Sequence, residues 1–299
     1  MIRKKIWLFF VIFAVFSYLQ AGDKAPLKVF ISVDMEGIWG VVHYNQTSSS
    51  SSGYGAARKW MVEDVNAVVA GLLEAGATEI VVNDSHGSMR NIIADDLHPK
   101  ASLISGSPKP LVMMQGIDDS FAACIFIGYH AKAGSASAVL DHTISGGSVR
   151  AIKINGIELP ELGLNAAIAG YFKVPVIMIS GDTETCRQAK SILGNKIVTV
   201  AVKEGIGRYA AKLLPPEEAR RQLKEKAKEA LLKKDKISPF KLNPPLSIEL
   251  ELHRSSQAEM PLLVPQVKLI NPRTVGFSSN DYLEAFKLLR ALIALASRS

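Results

Sequence analysis

A chain of 299 residues, 48% hydrophobic and 21% charged, can bury a sizeable core in one large domain or two moderate ones, so no disulfide scaffold is required. Two cysteines, Cys124 and Cys186, are too few and too far apart for a zinc ribbon, and Cys124 lies in an apolar run that suits a buried free thiol. The formal charge of +7 drops to +4 without Arg3, Lys4 and Lys5, a balance too mild for nucleic acid as the main partner.

Those three basic residues open a signal-peptide layout. The apolar stretch 6–19 is short for a membrane span, and Ala21-Gly22 is a cleavage point. The expectation is an exported protein, periplasmic or secreted, with no stable membrane insertion once residues 1–21 are removed; an uncleaved anchor is the alternative. Residues 27–33 (LKVFISV) then read as a buried strand, followed by a loop over 37–55 that carries five consecutive serines and is expected to be a flexible surface loop. The spacing predicts a helix over 58–75, ended by Gly76, and strands at 79–82 and 122–127. Residues 149–159 form a hairpin pattern about Asn155-Gly156, and 161–171 a helix rich in small residues. Strands at 176–180 and 197–202 flank a helix at 183–193. After Pro215-Pro216 come a charged helix at 217–236, strands at 246–251 and 267–270, and an amphipathic helix at 281–296. The alternation predicts an α/β fold with a largely parallel sheet flanked by helices. It divides as a main α/β domain at 22–215 and a smaller C-terminal α/β domain at 216–299.

The first strand ends on Asp34-Met35-Glu36-Gly37. Two carboxylates one residue apart at the end of a buried strand make little sense as packing, because buried carboxylates need partners. In open α/β sheets the carboxyl ends of strands bind ligands. Two more strand ends carry a histidine, His86 in EIVVNDSHG and His130 in AACIFIGYHAKAG. Asp, Glu and two His at three strand ends have the composition of a metal site. Taken singly, His86 fits a surface loop, His130 a satisfied polar residue, and Glu161 a first-turn glutamate favoured by the helix dipole. His142, beside Asp141, is a further titratable group. No H-E-x-x-H, G-x-S-x-G or Walker loop is present, and Gly205–Ala210 fits a dinucleotide pattern only formally. Two glycosylation sequons begin at Asn45 and Asn83.

SVDMEG (32–37), NDSHGSM (83–89), LHPKASLISGSPKP (97–110), GYHAKAG (128–134) and ELGLNAAIAGYF (161–172) together resemble the M55 D-aminopeptidases, in the family's order and from about residue 27 onward. The resemblance implies an enzyme with two zinc ions per subunit that removes N-terminal D-residues, notably D-Ala, from short peptides. It makes 22–215 the metal-binding catalytic domain. It implies Asp34, Glu36, His86, His130 and Glu161 as zinc ligands, Asp34 bridging, and His142 as the catalytic histidine. It also implies a ring-shaped homodecamer with its sites facing an internal channel. The signal sequence and the serine-rich loop depart from the family pattern. A hydrolase of the same fold acting on another amide or ester would share the metal site. A non-catalytic exported peptide-binding protein would need neither metal nor His142.

Overall fold

The computed structural model describes residues 26–298; the expected signal peptide, 1–21, lies outside them. The main sheet has seven strands in the order β3-β2-β1-β4-β7-β8-β9. These are β1 (Lys28–Val33), β2 (Glu79–Asp84), β3 (Ala101–Ile104), β4 (Ala123–Ile127), β7 (Val176–Asp182), β8 (Val198–Gly207) and β9 (Ala210–Leu213). All pairs are parallel except β8–β9. Successive strands step outward from β1 to β3 on one side, and from β4 outward on the other. The order therefore reverses between β1 and β4, and that switch point opens a crevice at the carboxyl ends of the strands.

Strand β1 is buried on both faces, which is why it reads as an unbroken apolar run. Val29, Ile31 and Val33 join one core with α1 (Tyr54–Glu74) and α4 (Pro216–Leu232). Phe30 faces the other core, shared with α2 (Glu161–Tyr171) and α5 (Tyr282–Ala296). Helix α3 (Thr183–Leu193) connects β7 to β8. A second sheet, wholly antiparallel, covers that second core in the order β11-β12-β10-β5-β6. It comprises β5 (Val149–Ile154), β6 (Ile157–Glu158), β10 (Leu246–Leu252), β11 (Lys268–Asn271) and β12 (Thr274–Ser279).

The change of texture at Pro215 marks the start of α4, which packs on α1 against the main sheet. The second sheet draws β5 and β6 from before that point and β10 to β12 from after it. Gly205–Gly207 ends β8 and turns into β9, so the formal dinucleotide pattern forms a hairpin. Both cysteines are free and buried. Among the described residues no helix is long and apolar enough to cross a membrane.

Candidate metal centre

Backbone hydrogen bonds extend the sheet past the strand ends. Asp34 N donates to Ile127 O at 2.8 Å, Gly37 N to Gly128 O at 2.8 Å, and Ser85 N to Val33 O at 2.8 Å. The segments after β1, β2 and β4 are thereby locked side by side, which brings Asp34, Glu36, His86 and His130 to one place. Lys203, on β8 and 2% exposed, donates to the carbonyls of Glu36, Ile38 and Val41, using all three ammonium protons to hold the segment after β1. Beneath the site, Tyr129 Oη meets Ser32 Oγ at 2.7 Å and accepts from Asn165 Nδ2 at 3.0 Å. Ser32 Oγ in turn meets Ser85 Oγ at 2.8 Å. That buried network ties together β1, the ends of β2 and β4, and α2.

Three histidines share one arrangement. His86 donates from Nε2 to the Thr47 carbonyl at 3.0 Å, His130 from Nδ1 to the Ala131 carbonyl at 3.0 Å, and His142 from Nδ1 to the Leu140 carbonyl at 2.9 Å. A carbonyl only accepts, so those nitrogens carry the protons. The other nitrogens all turn toward carboxylates. His86 Nδ1 is 3.2 Å from Asp34 Oδ1 and 3.0 Å from Glu36 Oε2. His130 Nε2 is 3.4 Å from Asp34 Oδ2 and 3.3 Å from Glu161 Oε1. His142 Nε2 is 3.6 Å from Glu161 Oε1, and its ring stacks on His130 at 3.9 Å between centroids. In neutral imidazoles these are lone pairs aimed at anionic oxygens, an arrangement that a proton or a metal cation between them relieves.

Burial opposes charge on Glu36 and Glu161, yet the neighbouring histidines outweigh it. His86 holds Glu36 well below the usual carboxylate range, and His130 brings Glu161 down to about 2. Burial likewise opposes protonation of His86 and His130, but Glu36 and Glu161 respectively, each with Asp34, raise both well above the ordinary histidine value. Glu36 Oε2 and His130 Nε2 are buried and form no hydrogen bond among the described residues. The six side chains fall into two groups whose ligand atoms lie within 4.8 Å of one another: Asp34, Glu36 and His86, and His130, His142 and Glu161. Asp34 joins them, one oxygen toward His86 and the other toward His130. Imidazole and carboxylate donors with no thiolate suit zinc and similar borderline ions, so the residues fit the metal.

His142 does not stand apart from the strand ends, as its place in the sequence suggests; the loop folds back until its ring covers His130. The serine-rich loop is also more than surface, because its Thr47 carbonyl fixes the His86 tautomer. Sequence reading missed Thr47, and it missed the Ile144 N–H that donates to Glu161 Oε1. It also missed Arg290 on α5, which lines the cavity of ≈ 180 Å³ beside Asp34, His86, His142 and Glu161. The available signal was a lone cation inside the run LLRALIALA. Asn83 of the second sequon is 0% exposed and bound to Lys109 and Met113 O, so it is closed to glycosylation in the folded chain.

An α/β sheet whose switch-point crevice gathers three carboxylates and three oriented imidazoles has the architecture of a metalloenzyme. The family model for the M55 peptidases, described as D-aminopeptidase, matches residues 27–291. The chain is 41% identical over 278 residues to a D-aminopeptidase of Bacillus subtilis (strain 168), covering 91% of this chain and 99% of that one. It also resembles the solved structure of the Zn-dependent D-aminopeptidase DppA from Bacillus subtilis, a self-compartmentalizing protease. That match has a TM-score of 0.88 at 39% identity, over 91% of this chain and 98% of the other. The chain belongs to the M55 peptidase family.

Proposed function

We propose that this protein is a zinc-dependent D-aminopeptidase that binds two zinc ions per subunit and cleaves short peptides with a free N-terminal D-residue such as D-Ala. The observation that carries this reading is the set of three imidazoles, each pinned at one nitrogen by a backbone carbonyl and turned at the other onto carboxylates. Family membership and the zinc-dependent relative support it. Asp34, Glu36, His86, His130 and Glu161 would hold the metal. Zinc, when bound, supplies Lewis acidity toward a peptide carbonyl and acidifies water.

The chain's own residues do the rest. Asp34 offers an oxygen to each group of ligands, which suits it to bridge. The cavity is small beside typical ligand sites and suits a short peptide with small side chains. His142 lines it, whereas His130 is 2% exposed and sealed beneath. With Nδ1 fixed on Leu140 O, His142 presents a bare Nε2 that can take a proton from the attacking water and return it to the leaving amine.

The test is a paired assay of D-Ala-D-Ala and L-Ala-L-Ala. The D-peptide should turn over faster, and a preference for the L-peptide would overturn the assignment. Export and assembly into a homo-oligomeric, decameric ring belong to the same proposal, the latter supported by the self-compartmentalizing relative. Mass spectrometry of the native N-terminus checks the first and sedimentation the second; an intact Met1 in a soluble cytosolic pool, or a monomer, would contradict them.

A further inference from the structure

Arg290 enters the cavity from α5, opposite in sequence to every strand-end ligand. It lines the same space as Asp34, His86, His142 and Glu161, and also a smaller apolar cleft beside it, walled by Val112, Met113, Ile144, Leu164 and Phe286. Burial there pulls its pKa below the usual arginine value. Among the described residues, its guanidinium makes no hydrogen bond or ion pair. Glu161, whose charge it feels, turns its Oε1 to His130 and His142, where that oxygen also accepts from Ile144 N. A guanidinium that lines the cavity with its donors turned to no protein acceptor among the described residues is available to an incoming anion.

We infer that Arg290 anchors the C-terminal carboxylate of a dipeptide substrate, and so sets the length and end-group preference of the enzyme. The inference rests on the aminopeptidase reading above. A zwitterionic dipeptide has one anionic group, its terminal carboxylate, which lies one residue, about 3.8 Å along the chain, past the scissile amide. A cavity of ≈ 180 Å³ that contains both the ligand carboxylates and Arg290 matches that short span. The planar guanidinium fork pairs with a carboxylate through two parallel hydrogen bonds, which a lysine cannot reproduce. A longer peptide places a neutral amide at that position and leaves the guanidinium unpaired.

The experiment compares D-Ala-D-Ala with its C-terminal amide, D-Ala-D-Ala-NH2, in the wild-type holoenzyme and in Arg290→Gln and Arg290→Lys, with zinc content measured alongside. In the wild type the free acid should be preferred by about 10- to 100-fold in kcat/KM, mostly through KM, the range for hydrogen bonds to charged groups. Arg290→Gln should abolish that preference while keeping its zinc, its loss falling on the acid and far less on the amide, and Arg290→Lys should restore part of the preference. The wild-type comparison needs no variant, so it decides even if both variants fail to fold. Equal turnover of acid and amide by the wild type overturns the anchor alone. An equal loss on both substrates in Arg290→Gln would assign Arg290 to the reacting carbonyl instead, and also overturns it. No turnover of either substrate would overturn the aminopeptidase reading and the anchor together.

Discussion

At the scale of single residues, the site is organised by which nitrogen of each histidine is occupied. His142 is the informative one, because its Nε2 lies near Glu161 and also faces the cavity. If it moves protons, His142→Ala should keep its zinc and lose about 10²–10⁴-fold in kcat. Zinc loss in that variant would make it a ligand with His130 and Glu161, and an unchanged kcat would make it a bystander. Asp64, on α1, is a residue whose burial has a thermodynamic consequence. Its Oδ2 accepts from Trp39 N at 3.0 Å, while Oδ1 is buried with no partner among the described residues. Burial raises its pKa to about 7, above the unfolded value of about 4. The folded chain therefore holds an extra proton between these values. The stability this adds is complete below about pH 4 and is lost as pH rises through about 7. Asp64→Asn, which cannot ionise, should raise Tm at pH 8 more than at pH 5; the opposite trend in thermal melts would refute the argument.

At the scale of elements, the centre depends on how closely the segments after β1 and β4 approach. A Cβ on Gly37 would lie 2.0 Å from Tyr129 O, and one on Gly128, whose φ is +69°, 2.3 Å from Asp34 O. Only glycine allows that seam. Gly37→Ala should push the Asp34–Glu36 segment away from His130, lowering zinc content and costing about 1–3 kcal/mol of stability. Gly55→Ala, where no atom of the described residues would lie within 4 Å of the new Cβ, is the control and should leave zinc unchanged. Equal zinc content in the two variants would show that the seam does not position the ligands. The strands and helices that feed this seam were legible because each is long and strongly patterned. Helices 161–171 and 183–193 were read with their observed bounds, and β1 from its apolar run. The strands missed had weak signals. β3 has only four residues, β9 is mostly exposed, and β12 contains Gly276 and two serines. The second sheet was illegible for another reason. β10 pairs with β5 from about a hundred residues earlier, and no local pattern reports a pairing that distant. The six side chains that the structure gathers at the crevice stood in motifs of the sequence; the backbone carbonyls and Arg290 beside them did not stand out, because their positions arise only when the chain closes.

At the scale of the whole molecule, two sheets enclose one core and α1 with α4 covers the other face of the main sheet, so the crevice is built on rigid parts. Large apolar side chains remain exposed on the β8–β9 turn, with Ile206 at 69% and Tyr209 at 51%, and on β11, with Leu269 at 53% and Ile270 at 52%. Such surfaces fit the oligomeric assembly proposed above. Three carboxylates converge in the crevice, and bound metal would both offset their charge and favour the folded state. The most direct test of this account is a zinc titration of the chelator-treated protein, read as D-Ala-D-Ala cleavage. Activity should be absent without metal and reach a plateau at about two equivalents per chain. Full activity in the metal-free protein, or no cleavage at any zinc level, would contradict it.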